Sequence, residues 1–329
     1  MQRASPKSYK KLTGRHSFVP SFFHVKKEVN PVNDLAYRMA LQKQIKRKFC
    51  NHDKLKSKHV PQYAVSAERQ YSQTFVNLTR EMEKEVQKSL PKIVRLIEQE
   101  RNEQARTDSF SDFSGKLKGI VQEIYHSITG KILSIHRVTD LLRKTGLLTE
   151  KTVNRQWFQA VKKTLSVNIS GEFYEQILEQ WIRENLDLIS TIPKELTAKL
   201  ESTIMDGFAA GASVRDIAED VERICKTNKS RARFIARDQI GKLQSRISQH
   251  QQEDAGVEEY VWSTSQDSRV RDSHRRLNRK KFRWDDPPVV DPKTGRRCHP
   301  GEDYGCRCVA LPVFNLNITL PWEKRSEEK

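Results

Sequence analysis

Three cysteines and two histidines crowd the final stretch of the chain. Cys298, Cys306 and Cys308 fall within eleven residues, His299 sits beside the first of them, and His274 lies upstream. Thiolate sulfur and imidazole nitrogen are the donors that hold Zn²⁺ tetrahedrally, so His274, Cys298, Cys306 and Cys308 are the candidate metal ligands. The C-x7-C-x-C spacing is not that of a common zinc finger. A tight turn would let Cys306 and Cys308 share one ion, whereas an extended chain is expected to part them. Two other readings stand beside zinc: small thiols packed in a core with His274 bonded to backbone, and a disulfide. Five cysteines in all, with Cys50 and Cys225 standing alone, are too few for a disulfide framework and fit a reducing compartment.

Positive charge surrounds the same histidine. Residues 269–283 (RVRDSHRRLNRKKFR) hold eight Lys or Arg against one acid, Asp272. Arg269, Arg271, Arg275 and Arg276 are candidate phosphate contacts, because a guanidinium pairs two oxygens at once. Only Phe282 interleaves them, so stacking on bases has little support. A solvated basic face accounts for the run equally well. Asp267, Asp272 and His274 also suggest a metal-dependent phosphodiesterase with His274 as general base. Against it, the sequence carries no HEXXH, P-loop or G-x-S-x-G motif, and Asp in turns usually caps backbone. No catalytic residue is assigned, and the expectation is a protein that is not an enzyme.

These residues need elements to position them. The chain has 329 residues, a formal charge of +18 and 36% hydrophobic residues, enough for two domains or one domain with arms but only a modest core. Residues 1–60 contain 15 Lys or Arg and three acids, a net of +12, which leaves +6 for the rest. Lys26, Lys27, Lys46, Arg47 and Lys48 make this a basic, partly disordered arm suited to phosphate polymers or acidic protein surfaces. No run approaches the ~20 apolar residues of a membrane span, and no apolar segment follows the charged start, so neither spanning nor ordinary secretion is expected.

From about Val65 to Gln252 the apolar residues recur at helical steps. Phe75, Leu78, Met82 and Val86 open the pattern, and Gly146 reads as a stop between two helices. Ser213 and Asp216 have the spacing of a capping box. Lys226–Lys229 reads as a polar turn before a last helix over about 230–252. Beyond Gly256 turn residues become dense. Residues 257–262 form a short β-type run, and 308–313 a closing strand limited by its proline, Pro312. The expected fold is α+β, mainly helical at the N-terminus and centre, then a small irregular β-containing module. The expected division is an arm (1–60), a helical domain (61–255), the module (256–315) and a polar tail (316–329).

In order along residues 207–313 stand Gly211-Ala-Ser with Ile217-Ala218, Arg237-Asp238-Gln239, Gly256, and Trp262-Ser-Thr-Ser-Gln-Asp267. Arg269-Val-Arg271-Asp-Ser-His274, Leu277-Asn278, Phe282, Pro287-Pro288, His299-Pro300-Gly301-Glu302-Asp303 and Cys306-Arg307-Cys308-Val-Ala-Leu-Pro312 follow. This ordered set resembles the phage Mu F-like head morphogenesis family of minor capsid proteins. One position departs from the family: Arg279 stands where glycine is common, and a turn needing positive φ would be strained there. The resemblance implies a structural, non-catalytic minor head protein of a tailed-phage or prophage virion, made in the host cytoplasm. Portal, capsid and scaffold proteins are the implied partners, with double-stranded phage DNA as a further contact. The competing expectation is a metal-stabilised nucleic-acid-binding protein or a metal-dependent nuclease.

Overall fold

The computed structural model describes residues 54–104, 112–165 and 174–316. Five long helices come first: α1 (Val65–Gln104), α2 (Phe113–Ser127), α3 (Ile135–Leu165), α4 (Glu175–Ala209) and α5 (Val214–Asp254). Each carries an apolar stripe, and the stripes meet in one cluster that runs from Ala64 to Ile247 through Phe75, Trp181, Leu200 and Leu243. A single π-helical turn, Ile128–Ile132, separates α2 from α3. Among the described residues, no helix is long and apolar enough to cross a membrane.

Three sequence expectations need correction. Gly146 does not stop a helix, because α3 passes straight through it. Its role is close approach: a Cβ there would lie 2.1 Å from Leu178 Cδ1 on α4. The Lys226–Lys229 turn is also absent, and α5 is one helix of 41 residues. Its buried stripe continues through Val221, Cys225, Ala232 and Ile235, and polar residues without Gly or Pro sit comfortably on a solvent face. Lys229 pairs there with Glu83 of α1 at 2.6 Å. The capping box does form: Ser213 Oγ accepts from Asp216 N at 3.1 Å, and Asp216 Oδ2 accepts from Ser213 N at 3.3 Å.

The third correction concerns Pro312. The main sheet has the order β1–β6–β2–β3, all antiparallel, from β1 (Lys54–Lys56), β2 (Glu259–Ser263), β3 (Lys281–Arg283) and β6 (Val309–Asn315). The proline strand is therefore interior. Pro312 lies opposite Tyr260, while its carbonyl accepts from Ser57 N at 3.0 Å on the other side. Carbonyl and nitrogen of one residue face the same neighbour in an antiparallel ladder, so the missing donor falls where β1 has just ended. A short helix α6 (Asp272–Leu277) and a two-stranded ribbon, β4 (Val289–Asp291) with β5 (Arg296–Arg297), complete the module. The fold is α+β, a helical body followed by a small antiparallel sheet module.

Candidate functional site

The chain from Gly301 to Cys308 lies directly on α5. A Cβ on Gly241 would stand 2.8 Å from the Cys306 carbonyl oxygen and 2.9 Å from that of Gly301. Only glycine on the helix permits this approach. One turn earlier, buried Asp238 accepts from Gly305 N at 2.9 Å and from Lys242 Nζ at 2.7 Å. The loop is thus registered against the helix by backbone contact and one carboxylate. Gly301 (φ 95°) and Gly305 (φ 59°) supply the left-handed turns that fold it.

Cys306-Arg307-Cys308 then runs outward into β6. The expectation that an extended C-x-C parts its thiols is wrong, because side chains i and i+2 share a face. Both sulfurs enter the module core. Arg307, between them, points to α1, where its guanidinium donates to both Glu68 carboxylate oxygens at 3.0 and 2.5 Å. The core around the thiols is aromatic, built from Tyr260, Trp262 and Trp284 with Val290 and Ala310.

His274 meets the two thiols from α6. Its Nδ1 lies 3.4 Å from Cys306 Sγ and 3.6 Å from Cys308 Sγ. On the other side of the ring, Nε2 donates to Asp303 Oδ2 at 2.9 Å. Asp303 also accepts from Arg271 Nη1 (2.9 Å) and Tyr304 N (2.9 Å), and its Oδ1 forms an ion pair with Arg296 Nη2 (2.8 Å). The Trp262 ring packs edge-on against the imidazole with centroids 5.4 Å apart. All four residues of this chain of contacts, Asp303, His274, Cys306 and Cys308, are at most 5% exposed.

The electrostatics follow from this layout. Burial works to lower the His274 imidazole, yet the Asp303 carboxylate, aided by Cys306, carries it up to about 9. A hydrogen bond from Cys308, then His274, holds the Cys306 thiol well below its ordinary value against burial. Cys308, donating to Cys306 and buried, moves the opposite way. Burial works to raise the Asp303 carboxyl, but the His274 contact, the Tyr304 N–H and the Arg271 and Arg296 guanidinium groups together outweigh it, and the net shift is downward.

The expected ligand set is only partly gathered. Among the described residues, the one group of ligand-type atoms within 4.8 Å of one another is His274, Cys306 and Cys308. Cys298 stands outside it, half-buried beside the same aromatic core, with burial pushing its thiol up to about 12. His299 serves elsewhere, sharing a 3.0 Å hydrogen bond with the Tyr260 hydroxyl. Asp267 and Asp272 do not join His274 either. The first accepts from Arg269 N and its guanidinium, and the second from Arg275.

The basic run is substantially answered by local acids. Arg269 pairs with Asp267, Arg271 with Asp303, Arg275 with Asp272, and Arg283 with Asp285 and Glu258. Arg276 lies exposed on α6. Lys26, Lys27, Lys46, Arg47 and Lys48 fall outside the described residues. A cavity of about 130 Å³ opens beside the trio, its wall formed by His274, Cys306 and Cys308 together with Arg237, Arg269 and Arg271.

Two participants were not singled out as site residues from sequence. Asp303 is visible only inside the H-P-G-E-D string, and Gly241 carries no local signal, since its necessity comes from a loop sixty residues away. An acid four residues after a histidine, close to a C-x-C pair, was the one clue to the former.

Residues 198–311 match the family model for Phage Mu protein F like protein. That span covers the end of α4, all of α5 and the module as far as Leu311 in β6. An uncharacterised protein of Haemophilus influenzae (strain Rd) is 36% identical over 133 residues, which is 40% of this chain. The chain aligns with 28% of that relative's length. No solved structure matches.

Proposed function

We propose that the chain is a minor head protein of a tailed phage or prophage. It acts without catalysis in head morphogenesis, by docking on the portal or inner capsid, and it also contacts the packaged double-stranded DNA. It resides in the virion and, during assembly, in the host cytoplasm. The observation that carries the proposal is the family match over 198–311, which coincides with α5 and the module seated on its backbone. The net charge of +12 on residues 1–60 supports the DNA contact, because such a segment binds phosphates by releasing counterions.

Co-assembly tests the main claim. The protein should appear in purified particles and their unfilled precursors, and tagged portal protein should capture it. Absence from particles and precursors, with no portal capture, overturns the proposal. For DNA, a chain lacking residues 1–53 keeps β1, which pairs with β6, and should bind with a shallower dependence on salt. An unchanged slope removes the arm from the DNA contact.

The competing reading is a metal-stabilised nucleic-acid protein or nuclease, favoured by the His274–Cys306–Cys308 grouping. DNA incubated with the protein and Mg²⁺, Mn²⁺ or Zn²⁺ should stay intact. Cleavage that disappears in His274→Ala would replace the structural role with an enzymatic one.

A further inference from the structure

We propose that His274 Nδ1, Cys306 Sγ and Cys308 Sγ hold one Zn²⁺ ion, with the fourth tetrahedral position taken by water from the adjoining cavity. Zn–N bonds of about 2.0–2.1 Å and Zn–S bonds of about 2.3 Å set nitrogen and sulfur about 3.6 Å apart around a tetrahedral ion. The imidazole nitrogen lies 3.4 and 3.6 Å from the two sulfurs. Those separations need no rearrangement beyond a few tenths of an ångström.

The surroundings are those of a metal site as well. A ligating histidine commonly gives its other nitrogen to a carboxylate, which fixes the ring and its tautomer. Asp303 accepts from His274 Nε2 at 2.9 Å, so Nδ1 is the nitrogen free to coordinate. Asp303 is itself held by Arg271 and Arg296. The Cys308 backbone N–H donates to Cys306 Sγ at 3.3 Å, a contact that eases negative charge on sulfur. Two thiolates balance the ion's charge, so a neutral unit sits in the aromatic core.

The ion would join α6 to the segment that leads into β6, two segments 32 residues apart. A module built from strands of two to seven residues gains from such a link. Its open side faces the cavity of about 130 Å³ that the same three residues help line. Cys298, the fourth residue expected from sequence, is left out of the set.

Metal content and a cobalt spectrum of the full-length chain test the site. Protein purified without chelating resin should contain one zinc per chain. Replacement by Co²⁺ should give thiolate-to-metal charge-transfer bands and the visible bands of tetrahedral cobalt. Cys306→Ser and Cys308→Ser should each abolish the native spectrum, and Cys298→Ser should leave it unchanged. Asp303→Asn should keep the spectrum at excess metal but bind about 10–100-fold more weakly, the effect of losing an outer partner. That variant keeps every ligand, so a folding failure in the cysteine variants cannot mask the result. Substoichiometric zinc with no cobalt spectrum, a Cys306–Cys308 disulfide found by mass, or equal metal loss in Cys298→Ser would each overturn the assignment.

Discussion

The helical body and the C-terminal module are stabilised in different ways. In the body, apolar side chains from five helices share one continuous core. Some of its buried polar groups pair across the helices: Tyr71 donates to Asn185 Oδ1 at 2.9 Å, and Asn185 Nδ2 donates to Gln239 Oε1 at 3.1 Å. Stability there is spread over many interchangeable contacts. The module's core is a small cluster of aromatic rings, thiols and two aliphatic side chains, and it sits on the body through a few polar contacts and one small apolar cluster that joins Phe314 and Leu316 to Val161 and Leu165. Damage should accordingly be graded in the helices and abrupt at the junction.

The largest effect should come from the ion pair that crosses that junction. Arg307 and Glu68 side chains are 17% and 12% exposed, so water screens the bidentate contact poorly. Arg307→Ala should cost about 1.5–3 kcal/mol, the range for hydrogen bonds to charged groups. Arg237, 3.5 Å from the same carboxylate, keeps the loss from being larger. Hydrogen exchange should quicken in β6 and α6 before it does in α1. A double-mutant cycle with Glu68→Ala should return a coupling of at least about 1 kcal/mol. A coupling near zero would mean the module is held by something else.

The same substitution should have opposite signs in the two regions. Gly119 on α2 has open space around it, whereas Gly241 on α5 faces two backbone oxygens within 3 Å. Alanine gains about 1 kcal/mol of helix propensity over glycine, so Gly119→Ala should stabilise by up to that amount. At Gly241, overpacking costs about 1–3 kcal/mol, and neither carbonyl can swing aside as a side chain end would. Gly241→Ala should be net destabilising and should loosen the loop that carries Cys306. Urea denaturation followed by tryptophan fluorescence would compare the pair, and stabilisation of both would deny the close approach.

How much of this could be read from the sequence depends on the range of the interaction. Helical stripes such as Phe75–Val86 and the Ser213–Asp216 cap repeat within a few residues, so they are legible locally. The unbroken course of α3 and α5 was missed because glycine and polarity are weak punctuation when a neighbour packs alongside. Pro312 misled in a similar way: whether a proline suits an interior strand depends on which side its nitrogen faces and where β1 stops. The site was half legible. Its donor types were evident, but excluding Cys298 and recruiting Asp303 required knowing how α6 and the Gly301–Cys308 loop meet on α5.

The smallest effect should appear at Arg279, one of two non-glycine residues with positive φ among the described residues. Leu277–Lys280 forms a turn in which Lys280 N donates to Leu277 O at 3.0 Å. Asn278 has φ −55° and ψ 133°, and Arg279 follows at φ 66°. Those angles are those of a type II turn, which favours glycine at its third position. The strain is tolerated because Arg279 N donates to Trp262 O at 2.8 Å and Trp262 N to Lys280 O at 2.9 Å. These bonds tie the turn to the β2–β3 ladder and hold Trp262 over His274. A left-handed conformation costs a non-glycine residue about 1–2 kcal/mol. Glycine returns about 0.4–1 kcal/mol of that through a freer unfolded chain. Arg279→Gly should therefore stabilise the module by about 0.5–1 kcal/mol, seen as slower exchange at Arg283 and Trp284 amides with the helices unaffected. Destabilisation instead would show that the arginine side chain makes a contact worth more than the strain it imposes.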